Sequence, residues 1–109
     1  AVKSPAKTGS LFYAIRGHGA FALPLDGPGE PAPIHVSSTT NPAAVRFCES
    51  VESGHSAHDA SAEIARRLGI VAAPVRLDSQ AKYAVVARGE ADVYLRLPTK
   101  ADYHEMIWD

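Results

Sequence analysis

Ser79 and Lys82 stand three residues apart where a helical pattern begins, Arg96 closes the apolar run Val93-Tyr94-Leu95, and Asp109 follows Trp108. A hydroxyl, an ammonium and a guanidinium can together hold a phosphorylated ligand, and a carboxylate beyond them can hold a divalent cation. With Ser79 as N-cap and Lys82 at the third helical position, both share a face with open backbone amides and the positive end of the helix dipole. The same spacing suits an ordinary serine cap beside a solvated lysine. Arg96 weighs toward the anion site, because a strand-end arginine can reach the edge of a parallel sheet where ligands bind. Taken singly, it also fits a surface arginine.

His58 falls near the first turn of its helix, where the dipole disfavours a protonated ring, so it reads as a neutral group able to stack on or hydrogen-bond a base. It also fits a solvated histidine at a helix start. The pair His55 and His58 has the spacing of zinc ligands but no third ligand nearby, and His18 and His35 have no visible partner. Cys48 reads as a small buried hydrophobe rather than a nucleophile. Asp109, beside the bulky Trp108, suits magnesium, yet Asp92, Asp102 and Glu105 are better explained as turn and helix-face charges. Further metal ligands are therefore expected outside this chain.

Those residues need elements to carry them. Leu11 to Ile15 and Ala20 to Leu25 are short apolar runs separated by Arg16-Gly17-His18-Gly19, which predicts an antiparallel hairpin with a glycine turn. Pro24 to Pro33, with Gly27, Pro28, Gly29 and Pro31, predicts a surface loop and an internal boundary, and Ile34-His35-Val36 a short strand. Ala44 to Cys48 reads as a buried strand, Ser56-Ala57-His58-Asp59 as a capping box, and the following helix carries a Glu63–Arg67 pair and stops at Gly69. Pro74 to Leu77 predicts another strand, Ser79 caps a helix to about Arg88, and Val93 to Leu97 is a strand closed by Pro98. Strand, helix, strand, helix, strand at this spacing implies βαβ units and a largely parallel sheet.

Composition narrows the functional classes. Eleven basic and twelve acidic side chains in 109 residues give a formal charge of -1, so no broad field recruits nucleic acid or an anionic membrane. No apolar run approaches the ~20 residues of a membrane-spanning helix. One cysteine excludes an internal disulfide framework and fits a reducing, cytoplasmic setting. Residues 103 to 109 carry no helix-ending signal and Trp108 calls for packing further along, so the chain is expected to be a piece of a larger protein, with the missing part as its partner.

On these residues the chain resembles the 3'(2'),5'-bisphosphate nucleotidases of the inositol monophosphatase superfamily. The segments that carry the resemblance are Gly9 to Ala14 with Arg16 to Phe21, Ile34 to Ser37, Ser56 to Asp59, Asp78-Ser79-Gln80-Ala81-Lys82-Tyr83, Ala91 to Pro98 and Ile107-Trp108-Asp109. The glycine-rich hairpin is common across the superfamily, whereas the Asp-Ser-Gln-x-Lys-Tyr run is specific to the nucleotidase branch. The resemblance implies a fragment of a layered αβαβα sugar-phosphatase-like α/β fold, an antiparallel hairpin followed by βαβ units. Residues 1–36 would end a first-domain sheet and 37–109 would begin a second domain.

The resemblance further implies a lithium-sensitive, magnesium-dependent phosphatase of sulfur metabolism that converts adenosine 3',5'-bisphosphate to AMP. His58 would contact adenine, Ser79, Lys82 and Arg96 would hold the nucleotide and its non-reacting phosphate, and Asp109 would bind Mg2+. The superfamily's Asp-Pro-Ile-Asp-Gly-Thr motif, its upstream glutamate, its water-activating aspartate and threonine, and the Ala-Ala-Gly after Trp-Asp are absent from this chain. No catalytic residue is thus expected within it, and by itself it should turn over little. A phosphatase for inositol phosphates or other small phosphoesters, and a non-catalytic nucleotide-binding module, are the competing readings.

Overall fold

Aromatic and aliphatic residues on either side of two glycines favour extended backbone folded back on itself. In the computed structural model, which describes residues 9–27, 29–52, 57–104, 106 and 107, these runs are strands β1 (Ser10–Ile15) and β2 (Gly19–Pro24), paired antiparallel. The Ile15 carbonyl accepts from the His18 amide at 2.9 Å, and Gly17 takes φ 80° at the third turn position, the left-handed value a type II turn requires. Tyr13 and Phe21 lie opposite each other with ring centroids 5.3 Å apart. Strand β3 (Ala32–Ile34) adds to β2 antiparallel, earlier than the expected strand at Ile34 to Val36 and inside the expected loop. Pro33 is tolerated because β3 is an edge strand, where a missing N–H can point away from the ladder. These strands fall in one compact unit, Ala1–His35, of which no described residue is buried.

The second unit, Val36–Asp109, is built on β4 (Phe47–Glu49), with β5 (Val75–Arg76) and β6 (Val93–Tyr94) parallel on either side. Helix α1 (His58–Leu68) joins β4 to β5, and α2 (Ala81–Ala87) joins β5 to β6. Phe47, Cys48, Glu49 and Ser50 are all buried, as the centre of a parallel sheet covered on both faces demands. Strand alternation assigns the faces. Cys48, in register with Val75 and Tyr94, packs with Val85 of α2 and Ala91. Phe47 and Glu49 turn the other way and, with Arg76 and the α1 residues Ser61, Ala62 and Ala65, line a cleft of about 320 Å³. The two helices therefore cover opposite faces.

Several boundaries differ from the sequence reading. The buried strand begins at Phe47 rather than Ala44, because Pro42–Ala44 is a 3-10 turn whose first amides are met by Asn41, its side-chain oxygen accepting from the Ala43 amide at 3.1 Å. The capping box includes Ser56, which lies outside the described residues; the N-cap of α1 is Ala57, without a side-chain cap bond. The predicted stop holds, with Gly69 at φ 71° and the Ile70 amide donating back to the Ala65 carbonyl at 2.9 Å. Glu63 meets Arg67 at 2.7 Å as expected and Arg66 at 2.8 Å as well.

Asp92, expected to be a plain turn charge, ties down the segment that leads into β4. Its carboxylate accepts from the Ser37 hydroxyl and from the Arg46 amide at 2.6 Å, and the Ser37 bond is the main reason its pKa falls below the ordinary 3.8. A carboxylate with a depressed folded pKa stabilises above its unfolded pKa, and that contribution is lost as pH falls through the folded value. Asp92→Ala in the intact protein should therefore lower stability at pH 7 by about 1–2 kcal/mol and cost less in acid below the unfolded pKa. Thermal unfolding at both pH values measures this; an equal loss at the two would contradict it.

Candidate functional site

Parallel pairing puts the carboxyl ends of β4, β5 and β6 on one edge, and every described residue singled out for binding follows one of those ends. After β5, the Leu77 amide donates to the Glu49 carbonyl at 3.2 Å, and the chain then turns through Asp78 and Ser79 into α2. Ser79 is the one described non-glycine residue with positive φ, at 76°. Its hydroxyl accepts from the Ala81 amide at 3.2 Å, so it still satisfies a helix-start amide, but from one position outside the predicted place. The N-cap is Gln80, and Lys82 is the second helical residue rather than the third.

Lys82 is only 4 % exposed, which removes the solvated-lysine reading. Its Nζ donates to the Ser79 carbonyl at 2.8 Å and to the Leu77 carbonyl at 3.4 Å, and lies 5.4 Å from the centre of the Tyr94 ring. The ammonium thus exchanges water for two carbonyl dipoles and an aromatic face, partners enough to keep a charge in a nearly closed place. Tyr83 meets Tyr94 edge-on at 5.2 Å, fixing that face. Ser79 and Lys82 are accordingly in direct contact.

His58 and Arg96 reach the same edge through partners of their own. His58 is half-buried and its Nε2 donates to the Ser50 carbonyl, just past β4, at 2.9 Å. A carbonyl only accepts, so Nε2 is the donor of this bond. Arg96 follows β6 and its guanidinium donates to the Tyr103 hydroxyl at 3.2 Å. The Ala57 amide, next to His58, donates to the Leu97 carbonyl, next to Arg96, at 3.3 Å, so the β4 and β6 exits are laced together. Asp109 lies outside the described residues. Cys48 is fully buried, and burial raises its thiol pKa despite the nearby Lys82, which leaves it an inert protonated hydrophobe.

Two partners escaped the sequence reading. Glu49 is buried on the central strand, and Arg76, its register partner on β5, meets it at 2.9 Å; the only signal was a carboxylate and a guanidinium in two separate strand patterns. Asp78 accepts from the Val51 amide at 3.1 Å, across 27 residues of chain. Its place immediately after a strand and before a serine marked it as a motif residue but not as a bridge. Among the described residues no group of three or more His, Cys, Asp or Glu side chains could hold a metal ion, and no helix is long and apolar enough to cross a membrane.

An antiparallel three-stranded sheet in one unit and a parallel βαβαβ sheet in the other make this a mixed α/β chain. The whole chain, residues 1–109, matches the inositol monophosphatase family, and it belongs to that family. It is 47 % identical over 102 residues to the 3'(2'),5'-bisphosphate nucleotidase of Schizosaccharomyces pombe, covering 93 % of this chain and 29 % of that protein. It is likewise 47 % identical over 106 residues to the 3'(2'),5'-bisphosphate nucleotidase 1 of Arabidopsis thaliana, with 97 % and 30 % coverage. The nucleotidase of Emericella nidulans is 49 % identical over 108 residues, with 97 % and 31 % coverage. The chain thus spans about three-tenths of the length of these relatives.

Removing the Lys82 ammonium while keeping its apolar stem tests what holds the β5 exit. Lys82→Met should cost the intact protein about 1–3 kcal/mol locally, seen as roughly tenfold or faster amide exchange at Gln80 and Ala81. Unchanged exchange there would show that the loop stands without it.

Proposed function

We propose that this chain carries the nucleotide-binding edge of a phosphomonoesterase that removes the 3'-phosphate of adenosine 3',5'-bisphosphate to give AMP. The observation that supports this most is the gathering of His58, Ser79, Lys82 and Arg96 at the carboxyl ends of three parallel strands. The 47–49 % identity to proteins named for that substrate class points the same way. In this reading His58 faces the adenine, with Nε2 committed to the Ser50 carbonyl and the rest of the ring left for the base. Ser79 and Arg96 hold the nucleotide and its 5'-phosphate, Arg96 as the fork that matches phosphate oxygens, and the buried Lys82 serves the same set through the Ser79 loop that it ties. Energy from binding the base and the 5'-phosphate then keeps the reacting 3'-phosphate in place.

The family is generally metal-dependent. The described residues do not by themselves make a metal site. We assign magnesium to the whole protein, with Asp109 as one ligand and the others outside this chain. This chain's own part is to bind and orient; no catalytic residue is assigned within it.

The full-length protein should release phosphate from adenosine 3',5'-bisphosphate in strong preference to inositol phosphates. Arg96→Ala should raise KM for adenosine 3',5'-bisphosphate about 10- to 100-fold, the worth of a charge-assisted phosphate contact. With adenosine 3'-phosphate, which lacks the 5' group, the same substitution should matter little. An equal loss on both substrates would remove Arg96 from the 5'-phosphate, and preference for inositol phosphates would overturn the substrate assignment.

A further inference from the structure

The loop that bears Ser79 is held from two sides. On its inner side Lys82, nearly fully buried, binds the Leu77 and Ser79 carbonyls. On its outer side the exposed Asp78 accepts from the Val51 amide at 3.1 Å. Val51 is next to Ser50, whose carbonyl receives the His58 ring at 2.9 Å. A continuous series of short links therefore runs from His58 through Ser50, Val51 and Asp78 to Ser79.

We infer that Asp78 is a positioning residue: its bond to the Val51 amide sets the spacing between the β4 exit that holds His58 and the β5 exit that carries Ser79. The inference rests on the nucleotide-binding reading of that edge. The β4–β5 ladder is short, pairing Cys48 with Val75 and Glu49 with Arg76, and its last backbone bond is from the Leu77 amide to the Glu49 carbonyl. Beyond that point the two exits would be free to splay, and the Asp78 side chain adds the next cross-link. Ser79 holds a left-handed backbone that residues with side chains seldom adopt, so the loop benefits from anchors on each side. Fixing both exits before the ligand arrives lowers the ordering cost of binding.

The test uses the full-length protein, AMP as the calorimetric ligand and adenosine 3',5'-bisphosphate as substrate. Asp78→Ala should raise the AMP Kd and the KM roughly 5- to 20-fold while changing kcat much less, as expected for a lost bond to a charged acceptor in a partly solvated place. Asp78→Asn keeps an oxygen that can accept from Val51 and should stay within about threefold of the parent. In a Ser79→Ala background the cost of Asp78→Ala should shrink, because the residue acts through Ser79. An Asn variant as impaired as the Ala variant, or full additivity with Ser79→Ala, would overturn the positioning role. So would an Ala variant that lowers Tm without weakening AMP binding. If Asp78→Ala does not fold, Asp78→Ser, too short to reach the amide, replaces it. Amide exchange at Val51 reads the bond independently: faster exchange in the variant is expected whatever the substrate, and unchanged exchange sinks the brace. A parent protein that neither binds AMP nor hydrolyses the bisphosphate would instead fail the nucleotide reading.

Discussion

The burial of Phe47, Cys48, Glu49 and Ser50 between two parallel neighbours is the constraint from which the second unit follows. A strand paired on both sides and covered on both faces needs a helix over each face, and the path β4–α1–β5–α2–β6, with β4 in the middle, supplies them. Parallel pairing then leaves the three strand exits on one edge, so residues far apart in the chain become neighbours without any long loop. At that edge His58 and Lys82 are held by carbonyls just past β4 and β5, and Arg96 by the Tyr103 hydroxyl.

Charge is placed where partners exist. Glu49 on the central strand is tolerated because Arg76 lies beside it in register, with its own side chain half in water to soften the cost of desolvation. Lys82 is closed in by two carbonyls and the Tyr94 ring. By contrast, the pairs of Glu63 with Arg66 and Arg67 lie on the solvated face of α1, where they support the helix modestly and depress the glutamate pKa through direct hydrogen bonds. The three-stranded sheet of the first unit leaves Leu11 and Ile15 about half exposed, and no described residue in it is buried. A small sheet with so little covered surface gains little stability alone, as befits a chain spanning three-tenths of its relatives.

The chain belongs to the inositol monophosphatase family, and among its described residues no group of acidic, histidine or cysteine side chains could hold a metal ion. Recognition and chemistry can reside in different segments, because a substrate with a base and two phosphates offers handles remote from the reacting group. In the function proposed above, the residues assembled here take the remote handles.

Element type was written in the sequence where short-range physics decides it. Gly17 and Gly19 permitted the hairpin, Gly69 ended α1, and the strand–helix–strand order called for parallel pairing. The candidate residues could likewise be picked out by type, since His58, Ser79, Lys82 and Arg96 each stand at a helix start or strand end. Boundaries moved for two reasons: Pro33 entered a strand because β2 lay beside it, and Ala44 left one for a local turn capped by Asn41. Only the fold could bury Lys82, whose carbonyl partners are local but whose aromatic cover, Tyr94, comes from another strand. The same holds for Asp92 with Ser37, Glu49 with Arg76 and Asp78 with Val51. Backbone preferences act over a few residues and are encoded nearby, whereas a charged side chain takes its role from whatever the sheet brings within 3 Å or so, and that is known only once the strands have paired.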